Sequence, residues 1–429
     1  MTALWHPFAD MAVVDGSEVV IERGDGAHVI GEDGRRYLDG TASLWYCNVG
    51  YGRSEIAEAV GAQLERLHAF HIFGEYASRP TLELAERIAS IAPVADSKVF
   101  FTSGGSDSVD TAAKLARRYF EQVGEPDRTL ILTRDWAYHG MHAYGTALAG
   151  IGVNRLGGVL IPDVAVVPWD SAAALAATVD ELGAERIAAF FCEPVMGAGG
   201  VRPAPPGYLE AAREIVRATG ALWISDEVIT GFGRVGDWFA STRFSLDPDL
   251  VTFAKGVTSG YLPLGGVLAS PRVAEPFWQA GAGAVWRHGY TYSGHTTACV
   301  AGLVNLDLME REGLHRRALQ LEGVLHSALA PLAEHELVGE VRGGVGLLAA
   351  VQLDPSLVEA DPSLPGRAAA ACREAGLITR ALAGGGLQVS PSLVITEAEI
   401  AELAELMRAG LDRAAAGAPR AAGLSASRP

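Results

Sequence analysis

Two short apolar runs near the middle of this 429-residue chain end on groups capable of chemistry. Ala221-Leu222-Trp223-Ile224 leads to the carboxylates Asp226 and Glu227, and Leu250-Val251-Thr252-Phe253-Ala254 leads to the amine of Lys255. Apolar runs of this length, bounded by polar and glycine signals, predict strands buried on both faces of a sheet. In a parallel α/β sheet, ligand chemistry collects beyond the carboxyl ends of the strands. The spacing therefore sets an acid and an amine at one edge of one sheet.

Lys255 stands out by scarcity, because the chain has three lysines (Lys98, Lys114 and Lys255) and every other fixed cation is arginine. Lys114 lies in a helical pattern among alanines and an arginine pair and reads as solvated. Lys98 opens an apolar run and reads as a surface residue. Lys255 follows a buried strand and precedes Gly256, where it either reaches solvent or is held as a desolvated amine. Burial lowers an amine's pKa and makes it a good Schiff-base former. An upstream carboxylate suits a pyridinium nitrogen, the pairing that pyridoxal phosphate (PLP) enzymes use.

The stretches SDEVITGFGR and TFAKG closely resemble the class III, or omega, aminotransferases. The resemblance extends over nearly the whole chain. It implies an α/β, fold-type I PLP transferase: a large domain with a mainly parallel seven-stranded sheet covered by helices, plus a smaller α+β domain drawn from both termini. It also implies that Asp226 holds the pyridine nitrogen, Val228 packs on the ring face and Lys255 carries the cofactor as a Schiff base.

The elements that position these groups follow along the chain. Val99-Phe100-Phe101 predicts a strand that runs through Thr102-Ser103-Gly104-Gly105-Ser106 into a helix. A glycine turn at a helix N-terminus is an anion site made of free backbone N–H groups and the helix dipole. Gly105 and Ser106 align with the family's phosphate-binding Gly-Ser, whereas Gly104 and Asp107 depart from its usual SGSE. Thr129 to Thr133 predicts a strand leading to Trp136-Ala137-Tyr138-His139-Gly140. By resemblance to the family's YHG, Tyr138 stacks on the pyridine ring; His139 reads as a structural histidine. Ile187 to Cys192 predicts a buried strand ending at Glu193-Pro194-Val195-Met196-Gly197-Ala198-Gly199-Gly200. That motif resembles pyruvate-using members, in which the glutamate lies near the cofactor; the alternative is a charged loop residue.

Three further residues rest on the resemblance. Trp45, in LWYCNVGYG, matches an aromatic wall of the substrate pocket. Thr291, in TYSGH, matches a threonine that reaches the phosphate of the neighbouring subunit, which implies a homodimer or a tetramer of dimers. Arg380, ending an expected strand Gly376–Arg380, matches a carboxylate-binding arginine of several members, with a surface arginine as the alternative.

Composition bounds the rest. Nearly half the residues are hydrophobic (49%) and a fifth are charged (20%), as in ordinary globular proteins. A net charge of -17 disfavours nucleic-acid and anionic-membrane partners. The four scattered cysteines, Cys47, Cys192, Cys299 and Cys372, form no CxxC pair and read as reduced thiols rather than a disulfide frame or metal site. No signal peptide or bilayer-spanning run is expected, which points to the cytoplasm. The expected organisation is residues 1–70 as an N-terminal segment with part of the small domain and 71–324 as the PLP-binding domain. Residues 325–415 complete the small domain, and 416–429 form a disordered tail. The expected activity is transfer of an amino group from an amine or omega-amino acid to a 2-oxo acid, pyruvate foremost. Another fold-type I reaction (decarboxylase or aminomutase) and a non-catalytic PLP-binding module are the alternatives.

Overall fold

The computed structural model describes residues 3–14, 16–279 and 284–417. In chain order its strands are β1 (Ile21–Asp25), β2 (His28–Gly31), β3 (Arg36–Asp39), β4 (Lys98–Thr102), β5 (Leu130–Arg134), β6 (Val164–Val167), β7 (Ile187–Cys192) and β8 (Val195–Met196), followed by β9 (Arg202–Pro203), β10 (Leu222–Asp226), β11 (Leu250–Phe253), β12 (Gly265–Ala269), β13 (Val338–Arg342), β14 (Ala349–Leu353), β15 (Leu377–Ile378) and β16 (Gly386–Val389). Both central apolar runs are strands, and they are neighbours. The largest sheet has the order β4-β12-β11-β10-β7-β5-β6. Its pairings are parallel except those of β12, which runs antiparallel to β11 and β4.

Strands β7, β10 and β11 are buried at every position because both faces of the sheet are covered. Leu222 and Ile224 pack with Ala112 and Ala116 of the helix Gly105–Gln122. Trp223, on the opposite face, packs with Ala212 and Val216 of the helix Tyr208–Thr219. Each fully buried side chain of this size contributes roughly 1.5–3 kcal/mol. That packing fixes the strand ends. The carboxyl ends of β4, β5, β7, β10 and β11 therefore open on the same side.

The two ends of the chain meet in a second sheet, β1-β2-β3-β15. In it β15 lies parallel to β3, with Leu377 opposite Leu38 and Ile378 opposite Asp39. A third sheet, β13-β14-β16, packs alongside, and residues of all three sheets share one large apolar core.

Two expectations are corrected. The strand expected over Gly376–Arg380 stops at Ile378. Beyond it the backbone leaves β3 and turns to β16, where Arg380 O accepts from Gln388 N–H at 3.0 Å. The tail expected from residue 416 is contradicted at that first residue, since a helix runs from Glu397 to Ala416. Its start is fixed by a Thr396–Glu399 capping box, and Leu403, Met407, Leu411 and Ala414 bury its apolar face. The expected tail from residue 418 onward lies outside the described residues. The expected boundary at 325 falls within the helix Leu314–Leu329. All four cysteines are free and buried. Among the described residues no helix is long and apolar enough to cross a membrane.

Candidate active site

The converging strand ends enclose a cavity of about 390 Å³. Of the residues singled out in the sequence, Gly105, Ser106, Tyr138, Glu193, Asp226, Val228 and Lys255 line it.

Asp226 closes β10 directly opposite Thr252 of β11. Its Oδ1 accepts from Thr252 Oγ1 at 2.9 Å and from the Val228 N–H at 3.2 Å. Its Oδ2 accepts from His139 Nδ1 at 2.6 Å. Burial pushes this carboxyl's pKa up. The hydrogen bond and charge of His139, with the bonds from Val228 and Thr252, outweigh that and hold it below the usual carboxylate value. The result is a buried anion aimed into the cavity.

Lys255 follows β11 after one residue and has a positive φ of 47°. A residue with a side chain holds that conformation only where its surroundings enforce it. The next residue must be glycine, because a Cβ on Gly256 would lie 2.5 Å from Asn48 Nδ2 and 2.9 Å from Phe232 Cβ. Burial lowers the Lys255 pKa to about 8, with Asp226 and Glu193 pulling it up and Arg380 pushing it down. An amine in this state is a usable base and nucleophile near neutrality.

Gly104 caps the helix Gly105–Gln122 with extended backbone and no side-chain hydrogen bond. The first-turn N–H groups have no acceptor within the helix, so they are available to an anion. A Cβ on Gly105 would lie 2.9 Å from Val228 Cγ1, so glycine lets the helix start tight against the cavity floor. Opposite, buried Glu193 accepts from Tyr138 N–H and Gly197 N–H, each at 3.0 Å. Burial raises the Glu193 pKa, and these two donors oppose that rise together with His139. Its carboxylate is thereby spent on holding the Tyr138 loop over the cavity.

The family model described as Aminotransferase class-III matches residues 11–411. The chain belongs to the class-III aminotransferases. This aminotransferase is 36% identical to the putrescine–pyruvate aminotransferase of Pseudomonas aeruginosa over 96% of its own length and 94% of that protein's. It is also 36% identical to the diaminobutyrate–2-oxoglutarate transaminase of Halomonas elongata, covering 92% and 90% of the two chains. Among solved structures, an amine transaminase from an uncultivated Pseudomonas species in its PLP-bound form superimposes with a TM-score of 0.91 at 36% identity, covering 96% and 99% of the two chains.

Aminotransferases of this class depend on pyridoxal phosphate and move amino groups from amine or amino-acid donors to 2-oxo acids. The donor set in the cavity fits that cofactor. It offers an amine with a lowered pKa, a buried ionised carboxylate and a helix N-terminus whose N-cap, Gly104, makes no side-chain hydrogen bond.

Beside the cavity, the aminotransferase brings Trp45 and Arg380 together. Asp39, ending β3, accepts from Thr41 N–H at 2.9 Å, Thr41 Oγ1 at 2.6 Å and Ser43 N–H at 2.6 Å. These bonds fold the following loop tightly, and Ala42, Ser43 and Trp45 all have positive φ. The buried indole of Trp45 meets two cations: Lys255 Nζ is 6.0 Å from its centroid and Arg380 Cζ 4.5 Å. Arg380 Nε donates to Gln388 Oε1 at 2.7 Å, and among the described residues its guanidinium pairs with no carboxylate.

Thr291 does not reach the cavity. It stands exposed in the turn before the helix Thr296–Arg311. The adjacent Tyr290 anchors that turn by donating its hydroxyl to Asp107 O at 3.2 Å.

Several residues that shape the site escaped the sequence reading. His139 read as structural but holds Asp226; its position next to Tyr138 at a strand end was the available signal. Gln388 had only the oddity of a polar residue within a buried strand. Tyr46 and Thr258 also line the cavity; Tyr46 stands beside Trp45 in the same aromatic stretch, whereas Thr258 carried no distinct sequence signal.

Proposed function

We propose that this aminotransferase moves an amino group from an amine or omega-amino acid donor to a short 2-oxo acid, pyruvate foremost. The observation that carries the reading is the Arg380 guanidinium, without a carboxylate partner among the described residues, stacked on the same Trp45 ring that Lys255 faces. A cation held that close to the amine suits an acceptor whose carboxylate is bonded directly to the reacting carbonyl. The Pseudomonas aeruginosa relative, named for putrescine and pyruvate, supports the same pairing.

Pyridoxal phosphate, when bound, would supply an aldehyde group to carry the amine and a ring that serves as an electron sink. The residues of the chain do the rest. Lys255 Nζ holds the cofactor at rest. It then takes the proton from the amine-bearing carbon of the donor and returns one to the carbon that becomes the new amine. Asp226 keeps a fixed negative charge for the ring nitrogen, and His139 and Thr252 keep Asp226 ionised and oriented. Tyr138 and Val228 would hold the ring, Glu193 keeps Tyr138 in place, and the N–H groups of Gly105 and Ser106 would hold the phosphate. Trp45 walls the substrate side, and Arg380 binds the carboxylate of the acid in a two-pronged grip.

The same reading makes the enzyme a homodimer, or a tetramer of dimers, in which Thr291 completes the phosphate site of a second subunit. Support comes from the exposed turn that carries Thr291 and from exposed aromatic residues near it, Tyr292 next in sequence and Phe73 against Gly289. Four buried free thiols suit a reducing cytoplasm.

A panel of amines and amino acids, each paired with pyruvate and with 2-oxoglutarate and followed by product analysis, tests the proposal. Amine-to-pyruvate transfer is expected to dominate. Release of carbon dioxide, or turnover confined to 2-amino acids with 2-oxoglutarate, would overturn it.

A further inference from the structure

Gln388 is fully buried in β16, flanked by Leu387 and Val389, and its side-chain amide is used at both ends. Nε2 donates to Ser390 Oγ at 2.6 Å and faces Thr41 O at 3.4 Å. A carbonyl oxygen only accepts, so Thr41 determines which end of the amide is nitrogen and turns Oε1 toward Arg380. Oε1 accepts from Arg380 Nε at 2.7 Å. The two residues are also tied through the main chain, where the Gln388 N–H donates to Arg380 O at 3.0 Å. Thr379 Oγ1 closes the arrangement by donating to Gln388 O at 2.7 Å.

This amide is a rigid mount for the guanidinium. It occupies Nε and, among the described residues, leaves both terminal nitrogens, the pair that binds a carboxylate bidentately. The Trp45 ring supports the flat face of the same group. A neutral acceptor orients the cation without cancelling its charge. A carboxylate in its place would form a buried ion pair and compete with the acid to be bound. We infer that Gln388 is a positioning residue that sets the preference for carboxylate-bearing acceptors by aiming Arg380; the inference rests on the carboxylate-binding role proposed for Arg380.

The test uses PLP-loaded enzyme and one amine donor, and compares pyruvate with propanal, which has three carbons and no carboxylate. The readout is the ratio of kcat/KM for the two acceptors in the parent enzyme, Q388M, Q388E and R380M. Losing one charge-assisted hydrogen bond in Q388M lowers the ratio about tenfold, mainly through the KM for pyruvate. Q388E keeps the shape but adds a competing charge, and lowers it at least as far. A merely structural role would reduce both acceptors together and leave the ratio unchanged. An unchanged ratio in R380M removes the role of Arg380 and the inference with it. A ratio that falls in R380M but not in Q388E overturns the role of Gln388 alone, and Q388E decides the matter even if Q388M fails to fold.

Discussion

His139 donates from Nδ1 to Oδ2 of Asp226 at 2.6 Å, while its buried Nε2 has no partner among the described residues. The carboxylate and the ring reach the same sheet edge from either side of β7, the carboxylate at the end of β10 and the ring from the loop beyond β5. Of the contacts that keep the Asp226 carboxylate charged against its burial, this is the largest.

His139→Ala should therefore let the Asp226 pKa rise toward the value burial alone would give. A group whose pKa is held low is charged above that pKa and loses its charge as the pH falls. Weakening the bond thus moves the acid limb of the kcat profile to higher pH. Turnover near neutrality should drop roughly ten- to a hundredfold, the worth of one charge-assisted hydrogen bond. A pH–rate profile with an unmoved acid limb would show that His139 is only packing.

Asp226→Asn should fold and keep the cavity, since Thr252 and Val228 can still donate to an amide oxygen. It removes the fixed charge, and turnover should fall roughly 10²–10³-fold, as when one preorganised electrostatic contact is removed. Thr252→Val, which removes one neutral donor, should cost far less. Steady-state kinetics on the two variants checks the order.

Lys255 carries its own pH signature. Burial lowers its pKa to about 8. The unfolded chain holds this proton up to the ordinary lysine range, so burying the amine costs stability most below pH 8 and progressively less as pH rises above it. Without cofactor, Lys255→Met should therefore be more stable than the parent at neutral pH, and the gap should narrow above pH 8. Thermal unfolding of the two cofactor-free proteins across that range is the check, and a constant gap would contradict it.

The floor of the site was legible in the sequence because parallel strands set chemistry at their carboxyl ends. Asp226, Glu193, Lys255 and Gly105 each follow an apolar run, and each lies at the same sheet edge. The wall was harder to read. Trp45 and Arg380 meet because β15 pairs with β3 across most of the chain, and no local pattern encodes that pairing. Arg380 was expected to end a strand, yet the backbone breaks away after Ile378 to reach β16. The role of Gln388 depends on that break. His139 reads as a satisfied structural histidine and its bond to Asp226 fits that, but a histidine beside a tyrosine does not reveal which carboxylate will face it.

Thr291 yields a prediction about assembly. If it completes a neighbour's phosphate site, sedimentation should show a dimer or a multiple of dimers at micromolar concentration. Mixing Lys255→Ala with Thr291→Glu should then restore activity, because one site of each hybrid collects both lesions and the other collects neither. An active monomer, or no recovery despite proven subunit exchange, would contradict the shared site.

The central claim is that Lys255 carries out the amino transfer. The direct measurement is the rate of transfer from an amine to pyruvate by Lys255→Ala, with cofactor binding followed separately by absorbance. The variant should still bind pyridoxal phosphate, more weakly, while transfer falls by several orders of magnitude, on the order of 10⁴ or more. Transfer at close to the parent rate would contradict the account.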